Sequence, residues 1–361
     1  MGKNTEKTEI EIVMTGDVLI HEKVIQSGRR GNGTYCFDPF FADILPELAS
    51  ADIRIVNQET IMGGEELGFS GYPSFNSPFE TGEAEVRAGF NVVLHATNHA
   101  LDKGHVGIEN CLHYWETKHP DVSVLGINKH PADRDDIFVF DKNGFRISIL
   151  NYTFESNVMP LPAGKEYCLD LFDKEKIHRD ISKAKRLADM VVICPHWGTE
   201  YVCTPDTDQR EWTRFFLTER ADIVIGTHPH VLQPVQMLSD PAGREMLVYY
   251  SLGNFVSNQE GIPRNIGGLA RIRLVKDAYG SRIESYELIP TVCHRELGAA
   301  KIEAYKLSDY SDHLADRNDI KAIDGHTELS VQYVNRFCRD VLGDDFCENE
   351  RQLRKIICRR R

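Results

Sequence analysis

The sequence predicts an α/β fold with a mainly parallel inner sheet. Two observations carry that expectation. Almost wholly apolar strands recur, each introduced by a helix end and a short turn, as a sheet covered on both faces requires. Candidate helices alternate with them. A third observation concerns function: a polar cluster follows each of these strands, where α/β folds gather their ligands.

The elements are expected in this order. Glu9–Thr15 alternates and is rich in β-branched residues, so it forms the first strand, ended by Gly16. Ala51-Asp52 leads into the strand Ile53–Val56, then Asn57-Gln58-Glu59. Ala88-Gly89-Phe90 leads into Asn91–Leu94, then His95–His99. Ala188-Asp189 leads into Met190–Cys194, then Pro195-His196-Trp197-Gly198. Ala221-Asp222 leads into Ile223–Ile225, then Gly226–His230. Helices are expected at Phe41–Ser50, Gly104–Lys118, Lys174–Ala188 and Asp206–Arg220. Further strands are expected at Ile137–Phe140, Phe145–Tyr152, Met246–Ser251, Leu269–Val275 and Arg282–Ile289. The hairpin around Asp141–Gly144 and the late run after Gly267 point to a second sheet with antiparallel pairs. Gly63–Pro78, rich in Gly, Pro, Ser and aromatics, is expected as a long loop placed to cover a site. One domain is expected over residues 8–298, and a charged helical extension over residues 299–361, ending in Glu348–Arg361.

Composition bounds the function. At 361 residues and 41% hydrophobic, the chain is long and apolar enough for a sizeable core. Its net charge of −13 disfavours unspecific nucleic-acid binding. It leaves room for an anionic substrate, because bound cations reverse the local field. The terminal Arg359-Arg360-Arg361 reads as solvated. No segment is long and apolar enough to span a bilayer, and the polar stretch Met1–Glu11 does not read as a signal peptide. The nine cysteines are odd in number, scattered and without a CxxC pair, so a cytoplasmic location is expected. No Gly-x-Gly-x-x-Gly, Walker or Gly-x-Ser-x-Gly motif occurs, which argues against nucleotide-loop and serine-hydrolase chemistry.

The polar clusters point instead to metal. Gly16-Asp17, Asn57-Gln58-Glu59, Thr97-Asn98-His99, His196–Glu200, His228-Pro229-His230 and Gly253-Asn254 hold nearly all the candidate ligands. A lone buried histidine is usually a satisfied core residue. No packing rule collects imidazoles and carboxylates at the ends of four or five strands. Two divalent cations need a bridging carboxylate, imidazoles and oxygen ligands of lower charge, and such mixed ligation suits Zn, Mn or Fe.

These motifs, together with Asn98–Asp102, Gly226–Val231 and Ser251–Phe255, resemble in order those of the CapA, or poly-γ-glutamate capsule-synthesis, family over residues 9–260. That family is related to the calcineurin-like metallophosphoesterases. The resemblance implies a four-layer α/β/β/α sandwich and a dinuclear site. It implies Asp17 and His230 on a first metal, Glu59 bridging, and Asn98, His196 and His228 on a second. It implies that His99 meets the substrate without binding metal, and Asp102 would hold its tautomer. Three departures stand out. The phosphoesterase Asp-x-His opening is here Asp17-Val18-Leu19, so His21 either substitutes or is a loop residue. The bridging acid is Glu59 rather than Asp, and Asn98-His99 follows Thr97 rather than Gly. Glu200 reads as an acid supporting the ligands from behind or as a surface one, and Asn254 as closing the site or as part of a plain turn. Trp197 reads as a substrate-stacking face or as core.

Two functions follow as expectations. One is a metal-dependent hydrolase acting on a phosphoester or a γ-glutamyl-type amide of an anionic small molecule or polymer. The other is a non-catalytic accessory protein of poly-γ-glutamate capsule synthesis or export, working with other capsule-synthesis proteins.

Overall fold

The computed structural model describes residues 7–157, 159–323 and 329–357. The expectation for the Arg359–Arg361 tail lies outside them.

Two sheets form the centre. In the first, β1 (Thr8–Val18), β2 (Ile53–Gln58), β3 (Val92–Leu94) and β4 (Ser123–Leu125) run parallel in that order. On the other side of β1 lie β12 (Ile266–Asp277), β13 (Gly280–Glu296), β16 (Gln352–Ile356) and β15 (Phe346–Cys347), all antiparallel to their neighbours. β11 (Asn254–Val256) pairs in parallel with the end of β1, and β14 (Lys301–Lys306) pairs with β13. In the second sheet, β6 (Phe145–Thr153), β7 (Met190–His196), β8 (Ile223–Ile225) and β10 (Glu245–Tyr249) are parallel. β5 (Phe138–Lys142) and β9 (Val235–Ser239) close its edges as antiparallel strands.

The apolar strands divide their side chains between two layers, since neighbours along a strand face opposite ways. Ile12, Met14, Ile55 and Leu94 of the first sheet meet Ile147, Ile149, Val192 and Ile225 of the second in one core. Val13, Val56 and Val93 face outward and pack with residues of the helices α1 (Glu22–Gly28), α2 (Leu45–Ser50), α3 (Glu80–Ala88) and α4 (Gly104–Lys118). Val191, Ile193 and Val224 pack outward against Ile177 and Ile181 of α5 (Lys174–Leu187) and Phe216 of α6 (Thr207–Thr218). The layers are therefore α/β/β/α, as the resemblance implies. Each fully buried Ile, Leu or Val in these layers stabilises the fold by about 1.5–3 kcal/mol.

Some expectations are corrected. The late strands after Gly267 do not join the hairpin at Asp141–Gly144: β12 and β13 extend the first sheet beside β1, while β5 and β6 belong to the second. The helix expected over Phe41–Ser50 is two short turns, with α2 itself starting only at Leu45, next to Pro46. After residue 298 the chain holds α7 (Asp312–Arg317), α8 (Ile320–Ile323) and α9 (Val331–Leu342), but also β14, β15 and β16. Val331, Val334, Cys338 and Leu342 of α9 recur at helical spacing and join the inter-sheet core. The helix expected at the chain end is replaced by β16, because the open edge of β13 offers partners for its backbone.

β1, β2 and β3 in one sheet and β7 and β8 in the other all end toward the same polar clusters, and this convergence builds the site.

Candidate metal centre

The first sheet supplies the candidate oxygen ligands. Asp17, next to last in β1, lies in register with Asn57 of β2 and Asn254 of β11. A Cβ on Gly16 would sit 2.0 Å from the Gly253 carbonyl oxygen, so only glycine lets these strand ends approach. The Asn57 amide donates to Asp17 Oδ1 at 2.8 Å. Glu59 follows β2 and is fully buried, and neither of its carboxylate oxygens accepts a hydrogen bond from the described residues. Burial, then the nearby Asp17 carboxylate, pushes its pKa well above the ordinary range. The Thr97 hydroxyl donates to the Glu59 carbonyl at 2.6 Å and accepts from the His99 N–H at 3.2 Å.

The second sheet supplies the imidazoles. His196 ends β7, with Nδ1 3.0 Å from the Thr227 hydroxyl. Its Nε2 lies 2.9 Å from Asn98 Oδ1, 3.2 Å from His228 Nδ1 and 3.7 Å from Glu59 Oε1. His230 sets Nδ1 3.1 Å from Asp17 Oδ2 and Nε2 3.6 Å from Glu59 Oε1. His228 and His230 have φ of 98° and 58°, a left-handed backbone unusual for residues other than glycine. Such strain persists where the surroundings fix it, commonly at functional sites. Burial, reinforced by the neighbouring imidazoles, holds His196 and His228 well below the usual histidine pKa, so both rings are neutral, the form that binds metal.

Asp17, Glu59 and His230 form one group whose ligand atoms lie within 4.8 Å of one another; Glu59, His196 and His228 form a second. Glu200, His228 and His230 form a third. The Glu59 oxygen stands 3.6–3.7 Å from two imidazole nitrogens, too far for hydrogen bonds. A buried carboxylate without a donor requires a neutralising partner. Neutral imidazoles, carboxylates and an amide oxygen around it fit a divalent metal ion.

His99 stands beside this centre. Its Nδ1 lies 2.8 Å from Asp102 Oδ2, which also accepts from the Phe75 N–H at 2.7 Å. The Phe75 ring meets the His99 ring edge-on, with centroids 4.6 Å apart, so the loop Gly63–Pro78 does reach over the site.

With this geometry in place, comparison decides the family. Residues 11–259 match the model of the bacterial capsule synthesis protein PGA_cap. The chain belongs to that family. Among curated relatives it is 29% identical to the capsule biosynthesis protein CapA of Bacillus anthracis, over 71% of this chain and 62% of that protein. It is 31% identical to the PGA biosynthesis protein CapA of Bacillus subtilis (strain 168), over 57% of this chain and 51% of that protein. The matches thus span under two thirds of these relatives' length. Among solved structures, the NAD nucleotidase of Haemophilus influenzae shares 12% identity over 80% of this chain and 56% of that one, with a TM-score of 0.49. The 5'-nucleotidase precursor of Thermus thermophilus shares 12% identity over 94% and 61%, also with a TM-score of 0.49.

In this PGA_cap chain the structure brings Asp17, Glu59, Asn98, His196, His228 and His230 together. Glu200, of intermediate burial, lies within reach of His228 and His230. His21 does not enter a ligand group among the described residues. Its Nδ1 lies 3.2 Å from the Leu19 carbonyl and 3.3 Å from the Asn258 N–H, and burial lowers its pKa to about 4. Trp197 is not a substrate face: its ring is 1% exposed, packs with Phe216 and Tyr250, and donates to the Tyr250 carbonyl. The Asn254 amide donates to Gln259 Oε1 and the Arg264 carbonyl. Three contributors escape sequence reasoning. Thr227 and Asn57 sit inside the strand-end motifs, but nothing in the sequence assigns them a role. Asn157, whose amide donates to the Asn98 carbonyl at 2.8 Å, has no motif around it.

Proposed function

We propose that this chain is a metal-dependent hydrolase of capsule synthesis with a dinuclear centre. In this reading Asp17 and His230 would hold one ion, and Asn98, His196 and His228 would hold the other. Glu59 lies between them, and Glu200 stands at the side of His228 and His230. The observation that carries it is the buried Glu59 carboxylate, which accepts no hydrogen bond from the described residues and is shared by two candidate ligand groups. Bound divalent ions would supply Lewis acidity toward a phosphoryl or carbonyl oxygen and acidify a water.

The remaining chemistry belongs to the chain. Asp102 fixes the Nδ1–H tautomer of His99 and supports positive charge on its ring. His99 Nε2 then faces the leaving oxygen or nitrogen, or the charge developing on it. Phe75 excludes water from that side. The bond cleaved is a phosphoester or a γ-glutamyl-type amide, in an anionic small molecule or polymer. Partners are other capsule-synthesis proteins. The acidic balance argues against nucleic acid. Among the described residues no helix is long and apolar enough to cross a membrane. We assign the chain to the cytoplasm, a reading supported by eight described cysteines that are all unpaired.

The relatives' names speak of biosynthesis, and a second reading makes this chain a non-catalytic accessory protein of poly-γ-glutamate capsule synthesis or export. Elemental analysis together with assays on an activated phosphodiester and on poly-γ-glutamate separates the two. The hydrolase reading expects about two metals per chain and turnover of one substrate. Bound metal with no turnover on either supports the accessory role, and no metal at all removes both forms of the centre.

A further inference from the structure

Beside His230 lies a pocket of 390 Å³ lined by Tyr201, Val231, Glu260, Gly261, Pro263 and Arg264. Its walls are fastened to the metal-ligand loop from two sides. Tyr201 donates its backbone N–H to the Pro229 carbonyl at 2.8 Å, between the two histidines. Its φ is 66°, a left-handed value, and its ring centroid lies 6.0 Å from that of His230. Such strain in a residue 41% exposed has no core to account for it. On the other side the Asn254 amide donates to the Arg264 carbonyl at 2.8 Å and lies 3.4 Å from the His230 carbonyl.

Arg264 completes the arrangement. Its guanidinium carbon stands 3.6 Å over the Tyr201 ring centroid, a stacked cation–π contact. Among the described residues the guanidinium forms no hydrogen bond or ion pair, and Glu260 shares the pocket without pairing with it. Stacking occupies one face of the group and leaves its in-plane N–H fork uncommitted. A fork held flat at a fixed position matches the two oxygens of a carboxylate or phosphate.

We infer that Arg264, held flat on Tyr201, binds an anionic group on the part of the substrate that projects past His230. This rests on the hydrolase reading for the word substrate, and it sharpens that reading to molecules carrying a carboxylate or phosphate outside the scissile bond. The chemistry is shared by both anions, so the test carries an arm for each.

The test is calorimetric titration of the metal-loaded full chain with inorganic phosphate and, separately, with glutarate. Arg264→Ala should weaken one of the two by about 10- to 100-fold at unchanged metal content, the range for hydrogen bonds to charged groups. Loss confined to phosphate names a phosphate, and loss confined to glutarate a carboxylate. Arg264→Lys keeps the charge but not the fork, so it should recover only part of the affinity. Affinities within about twofold of wild type in Arg264→Ala, or no binding of either probe to the wild type, would overturn the inference. Turnover is not part of the readout. A loaded chain that hydrolyses nothing would end the hydrolase reading and leave this titration to decide Arg264 by itself.

Discussion

Two buried charge clusters in this molecule differ in kind. At the edge of the second sheet, Lys176 is 4% exposed and sets Nζ 2.6 Å from Asp180 Oδ2 and 3.4 Å from Asp170 Oδ1. The Tyr152 hydroxyl donates to Asp180 at 2.7 Å, and Lys176 donates to the Arg134 carbonyl at 3.0 Å. This cluster contains its own cation. Around Glu59 there are carboxylates and imidazoles, and no lysine or arginine pairs with Asp17 or Glu59 among the described residues. Glu85 is a third case: fully buried and, among the described residues, without a hydrogen-bond partner and in no ligand group. Burial alone pushes its pKa well above normal, so it is neutral. A buried acid is thus ambiguous until its neighbours are known. A protein cation makes it a structural ion pair, no polar company makes it a neutral acid, and neutral imidazoles with a second acid make it a candidate metal ligand.

The strongest way to break that comparison is Glu59→Gln. In the proposed centre the substitution removes the carboxylate that both groups share. Metal content should fall below half of wild type, and turnover by more than the roughly 10- to 100-fold typical of changes to a ligand's supporting partner. Elemental analysis of the purified variant checks it; full metal retention would place Glu59 with Glu85 instead. His99→Ala comes next, with metal retained and turnover reduced by about 10²- to 10⁴-fold, the usual worth of a positioned acid or base. Unchanged turnover would remove His99 from the mechanism.

How far these features can be read beforehand depends on what strand periodicity encodes. The apolar runs at Ile53, Val92, Met190 and Ile223 mark the strands because both faces of each are covered. They do not say which sheet each joins, nor that β12 pairs with β1 through Glu9 and Val275, since an edge leaves no mark in a strand's own residues. The candidate ligands are legible because each lies at or within a few residues of the carboxyl end of a strand. Trp197 is ambiguous in sequence because an aromatic beside a ligand reads the same in either direction. Its outcome follows from alternation: His196 faces the centre, so the next residue faces the outer helices. Asn157 is illegible because its contact with Asn98 spans separate loops and leaves no local pattern.

Lys176→Met sharpens the other side of the comparison. Removing Lys176 leaves Asp180 buried without a cation and Asp170 with only Arg134 Nε, 3.8 Å away, which costs about 3–5 kcal/mol. Urea denaturation should show that loss with metal content unchanged. A variant of wild-type stability would mean that the cluster does not depend on Lys176.

The smallest effect concerns pH. Burial, opposed by Lys176, raises the Asp170 pKa to about 6. The folded state therefore keeps the Asp170 proton to higher pH than the unfolded chain, whose aspartates titrate near about 3.9. Below about pH 4 the group is protonated in both states and carries no penalty. As pH rises from about 4 to about 6, the unfolded state gains by ionising first, and stability falls by at most about 3 kcal/mol before levelling. Asp170→Asn removes this dependence. Its stability relative to wild type should rise across that window and then stay flat. Asp222, also raised to about 6 by burial, contributes equally to both proteins and cancels in the difference. Parallel stability curves from about pH 4 to 7 would show that Lys176 neutralises Asp170 fully, and the two clusters would then differ only in where their cation comes from.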